Sequence, residues 1–162
     1  MSLLSRLHGR VTVVGVGNPM RGDDGAGCRI ARALHHACAS SPAPRTPDAA
    51  LTIIDAEEVP ESFLGPVVAS RPDVVLLVDA VDLGAEPGAS ALLEAGDLTD
   101  GALFTHRTPL APLAAYIHNL TGAHILLLAI QPACLDWGAP LSAPVAATVD
   151  DLTLLLREAW SC

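Results

Sequence analysis

Residues 10–40 read RVTVVGVGNPMRGDDGAGCRIARALHHACAS, and this stretch decides the fold. Its first eight residues are rich in β-branched side chains and end on glycine, the make-up of a buried strand. From Gly25 onward Ile30, Leu34 and Ala37 recur at helical spacing, so a helix follows. A strand, a glycine-rich turn and a helix in direct succession open an α/β domain.

The same alternation continues along the chain. LTIID at 51–55 is a second strand, and residues 60–70 form a weak helix. DVVLLVD at 73–79 is apolar on both faces, as expected of a central parallel strand covered by helices. ASALLE at 89–94 is a strand after the turn at 84–88. PLAPLAAYIHNL at 109–120 is a helix with proline in its first turn. HILLLAI at 124–130 is another buried strand, and residues 143–160 close the chain as an amphipathic helix. The proline-rich stretch at 40–50 is a surface loop rather than a domain boundary. There is no internal repeat. Residues 1–162 are therefore expected to form one domain, a three-layer αβα sandwich around a mostly parallel sheet.

Composition narrows the function classes. Hydrophobic residues make up 51% of the 162 and charged residues 17%, so a large core is available and wholesale disorder is excluded. Aromatics are only 3%, so that core is built from Ala, Val, Leu and Ile. Nine basic residues, all arginine, stand against 18 acidic ones for a net charge of -9, a poor match to a phosphate backbone; no nucleic-acid partner is expected. No apolar run approaches the roughly 18 residues that cross a bilayer, so no membrane insertion is expected. Residues 1–10 lack a signal-peptide core. Cys28, Cys38, Cys134 and Cys162 form no CxxC pair, and they read as reduced thiols of a cytoplasmic protein.

Three loops carry residues suited to chemistry. The turn at 15–27 lies where an open α/β sheet places its ligand, and its glycines suggest a nucleotide fold. The spacing is wrong, because Met20 stands where the third glycine belongs. Two adjacent carboxylates, Asp23 and Asp24, would also repel a pyrophosphate. One of them can cap the helix while the other takes a functional role. Asp79 ends the apolar 73–78 run at the crevice, and an ionised carboxylate resists burial unless it is paired or bound to metal. Asp82 starts a turn, and Asp55 ends the other early strand as a turn residue or as support for the site. His106 opens the loop before a helix, whereas His8, His35, His36, His118 and His124 read as ordinary. Asp24, Asp79 and His106 together make an oxygen-and-nitrogen metal site with open positions. Gln131 ends the 124–130 strand and orients a loop or a substrate backbone. No GxSxG elbow is present, Cys28 and Cys38 fall inside the first helix, and Cys134 has no identifiable histidine partner to activate it.

The run VVGVGNPMRGDDGAG, IID, LLVDAVDLGAEPG, FTHRTPL and LLLAIQP resembles the hydrogenase maturation proteases over nearly the whole chain. These endopeptidases trim the C-terminal extension from the large subunit of nickel-iron hydrogenases. The IQP turn and LSAPV segment look most like the branch serving the formate hydrogenlyase type, hydrogenase 3. The resemblance implies a twisted five-stranded sheet between helices. It also implies that Asp24, Asp79 and His106 engage nickel already inserted into the large-subunit precursor, with Asp23 the neighbouring candidate for proton handling. Many members carry Glu at the position of Asp24. Nickel would thus come from the substrate, and the chain, expected to be a monomer, lacks the HExxH machinery of zinc proteases. A nickel-delivery protein or a nucleotide-binding module is the alternative reading.

Overall fold

A computed structural model describes residues 3–39, 50–94 and 110–161. Five strands form one sheet: β1 (Val11–Val16), β2 (Leu51–Glu57), β3 (Val74–Ala80), β4 (Ser90–Glu94) and β5 (His124–Ile130). Their order across the sheet is β2-β1-β3-β5-β4. All neighbours are parallel except β4, which runs antiparallel to β5 with Leu92 opposite Leu128. Parallel neighbours need crossovers of a dozen or more residues, and only a short helix-free link joins β3 to β4. That link returns the chain in the opposite direction, and the short, half-exposed β4 closes the edge.

Helices α1 (Leu3–Arg6), α2 (Ala26–Ala39), α3 (Leu64–Ala69), α4 (Leu110–Thr121) and α5 (Ala143–Ala159) accompany the sheet. Alternation along the strands builds two cores. Val11, Val13, Leu76 and Leu126 face Ile30 and Leu34 of α2 and Val145 and Leu156 of α5. Val14, Val16, Leu77 and Leu127 face Val67 of α3 and Leu113 and Ile117 of α4. β3 is buried along its whole length, as its two-sided apolar run predicts. Each fully buried Leu or Ile contributes about 1.5–3 kcal/mol relative to an exposed one. Together these faces hold the αβα sandwich. No helix among the described residues is long and apolar enough to cross a membrane.

Local detail departs from the sequence reading in four places. Helix α2 starts at Ala26, after a 3₁₀ turn over Gly22–Gly25 that carries both Asp23 and Asp24. The weak helix at 60–70 is a 3₁₀ turn, Pro60–Phe63, running into α3. Helix α1 is an element the apolar pattern did not indicate, being too short to show a period. Finally, Cys38 is disulfide-bonded, which corrects the reading of every cysteine as a reduced thiol, whereas Cys28 and Cys134 are free.

Candidate functional site

The chain leaves β1 toward β2 on one side and later places β3 on the other. Ligands of open α/β sheets bind at such a divide, beyond the carboxyl ends of the strands. Gly17 follows β1 there with φ +126, and a Cβ on it would lie 1.8 Å from the Asp24 carbonyl oxygen and 3.7 Å from Asp79 Oδ1. Only glycine lets the 3₁₀ turn close onto the ends of both strands. A Cβ on Gly27 would lie 2.1 Å from the Val78 carbonyl oxygen, so that glycine seats α2 against β3. The glycines that suggest a nucleotide loop serve helix–strand contact.

Asp24 and Asp79 meet at this point. The buried Asn18 donates its backbone N–H to Asp24 Oδ2 at 3.1 Å, and its side-chain Oδ1 accepts the Met20 N–H at 2.8 Å. Asp24 remains half-buried and reachable. Asp79 is 4% exposed. Burial pushes its pKa up to about 8, the Asp24 carboxylate adds to the rise, and a hydrogen bond from the Ala80 N–H opposes it. Among the described residues no arginine or histidine pairs with either carboxylate. Two close carboxylates without a cation have the charge and the oxygen donors for a divalent metal ion. His106 lies outside the described residues, and among those described no three potential ligands form a metal-sized group.

Asp23 has a different environment although it adjoins Asp24. It is fully buried, and its carboxylate accepts hydrogen bonds from the amides of Ala133 (2.8 Å), Cys134 (3.0 Å) and Ser142 (2.6 Å). The Ser142 hydroxyl donates a fourth at 2.9 Å. Burial would raise its pKa, but these bonds outweigh it and hold the carboxyl below the usual carboxylate value. Such an anion is a weak base, and its bonds tie the 3₁₀ turn to the loop before α5. Neither Asp23 nor Asp24 bonds an amide of α2, so helix capping explains neither.

The remaining candidates take supporting places. Arg32 of α2 bridges Asp55 and Glu57 at the end of β2. A groove of about 720 Å³ beside them, lined by Arg32, His35, Ile53 and Phe63, contains neither Asp24 nor Asp79. Gln131 accepts the Leu83 and Ala85 amides at 2.6 and 3.2 Å and so orients the loop after β3, including Asp82, as its strand-end position suggests. Cys28 donates to the Gly17 carbonyl at 3.3 Å; burial, then the Asp55 charge, push its thiol pKa far up and leave it inert. His118 bonds the Ala123 carbonyl and His124 lies by Arg6 and Glu94. Sequence reasoning passed over Asn18 and Ser142. The only signal for either was a polar residue directly after a strand-ending glycine or directly before a proline-led helix.

The family described as hydrogenase maturation protease, HycI, matches residues 28–158. The hydrogenase 3 maturation protease of Escherichia coli is 31% identical over 146 residues, covering 90% of this chain and 86% of that protein. The crystal structure of a nickel-iron hydrogenase maturation protease, HycI, from Thermococcus kodakarensis superposes with a TM-score of 0.81 at 31% identity, covering 94% of this chain and 93% of that one. The solution structure of the endopeptidase HycI from Escherichia coli gives 0.73 at 29% identity over 91% and 89% of the two chains.

Proposed function

Since this chain belongs to the hydrogenase maturation protease family, we propose that it removes the C-terminal extension of a nickel-iron hydrogenase large-subunit precursor once nickel has been inserted. Asp24, Asp79 and His106 grip that nickel, which arrives as part of the substrate. The observation that carries this reading is Asp79: a buried carboxylate at a strand end, facing a second carboxylate with no described cation between them. Such an arrangement destabilises the free protein and is relieved when a cation arrives.

The chain's own residues divide the work. Asn18 fixes Asp24 through its backbone N–H, and β3 fixes Asp79. Asp23 locks the turn that presents Asp24, and the imidazole of His106 supplies the nitrogen donor. Nickel, a borderline cation, suits mixed carboxylate and imidazole donors. Holding it against this rim brings the adjoining peptide to the half-buried Asp24, where a polarised carbonyl and an activated water are the routes to hydrolysis. Metal insertion thereby licenses cleavage.

Incubation with a nickel-loaded large-subunit precursor, followed by intact mass, tests the proposal. Loss of the mass of a C-terminal peptide is expected. A nickel-loaded precursor that keeps its full mass would refute the proposal and favour the reading as a nickel-delivery protein.

A further inference from the structure

We infer that Trp137 and Met20 form the contact by which this protein docks an apolar segment of the precursor beside the Asp24–Asp79 pair; this rests on the function proposed above. Among the described residues Trp137, 71% exposed, is the most exposed of the large apolar side chains, and Met20, 55% exposed, follows it. The two residues belong to two loops stitched together at the site. The Gly138 N–H donates to the Met20 carbonyl at 2.7 Å, the Gly22 N–H to the Ala139 carbonyl at 3.2 Å, and Arg21 Nε to the Leu135 carbonyl at 3.1 Å. The buried Asp23 carboxylate clamps the same loop at Ala133, Cys134 and Ser142.

This anchoring gives the exposure its meaning. A tryptophan on a loop fixed at both flanks presents a large apolar face that pays little ordering entropy when it is covered. Tryptophan is enriched among residues that dominate interface energetics, and methionine adapts to irregular apolar surfaces. The patch is continuous with the catalytic rim, because the Met20 N–H bonds the Asn18 side chain while the Asn18 N–H holds Asp24. A precursor that seats its nickel on these carboxylates lies against the adjoining loops. The occupant is therefore the precursor itself, through an apolar segment flanking its metal site.

The test uses the full chain and the nickel-loaded precursor of a hydrogenase from the same cell. Trp137→Ala should raise the KM for the precursor at least ~10-fold with kcat within about twofold, and Trp137→Phe should recover most of the loss. Leu154→Ala, at an exposed apolar position on α5, is the control and should leave KM unchanged. With the protein labelled by 5-fluorotryptophan, excess precursor should shift the Trp137 fluorine resonance and leave that of Trp160 in place. An unchanged KM with an unmoved resonance overturns the inference. So does a Trp137 resonance that shifts with protein concentration alone, which assigns the patch to a second copy. If the parent chain cuts no precursor, the proposed function falls and the docking contact stands or falls on the resonance.

Discussion

Replacing Asp79 by Asn should stabilise the metal-free protein while destroying its function. Asp79 is 4% exposed, and burial followed by the Asp24 charge raises its pKa from an ordinary 3.8 to about 8. A carboxyl whose folded-state pKa lies above its unfolded value favours folding fully only below the unfolded value. That contribution is lost as pH rises through the folded value. The window therefore runs from about pH 4 to about pH 8. At ~1.4 kcal/mol per pH unit, holding Asp79 in the fold costs on the order of 4 kcal/mol at neutral pH. An asparagine of the same shape carries no such penalty, and for a chain of this size the gain corresponds to a rise of roughly 8–16 °C in Tm. Thermal and urea melts of the parent and Asp79→Asn proteins, with chelator present, should coincide near about pH 4 and diverge steadily toward about pH 8, the variant being the more stable. Parallel stability curves across that window would refute the reasoning, since they would mean that the fold does not oppose the charge on Asp79.

Other substitutions separate the roles of neighbouring groups. Asp24→Asn should abolish processing with thermal stability little changed, because Asp24 caps no helix, whereas Asp24→Glu, which keeps the carboxylate, should retain activity; cleavage and melting measured together decide this. Asp23→Asn places an amide among four donors and should cost about 2–4 kcal/mol in urea unfolding, with activity lost in step with the loosened loop. His106→Ala should remove processing at unchanged Tm, with His124→Ala as the control; normal cleavage by the first would take His106 out of the site.

The strands that place the site were legible because each declares itself locally. β1, β3 and β5 are short apolar runs, and Asp79 stands out as a charge at the end of one. Asp23 and Asp24 could not be told apart in this way. Adjacent in sequence, they differ only through partners 6 residues away for Asp24 and 110–119 residues away for Asp23. The same distance hid Ser142, whose side chain matters only once the loop before α5 folds back on the turn. Strand order was equally illegible, since alternation of strands and helices specifies layers but not which strand lies beside which. Cys38 shows the same limit, because the spacing of cysteines in sequence does not say which of them are bonded.

The central claim is that metal in the substrate licenses the cut, and one comparison tests it most directly. Two preparations of the same large-subunit precursor, one loaded with nickel and one free of metal, are incubated with the protein and weighed by intact mass spectrometry. The loaded precursor should lose its C-terminal extension and the metal-free precursor should keep its full mass. Equal processing of both would contradict the account and leave Asp24 and Asp79 as the groups of a peptidase indifferent to nickel.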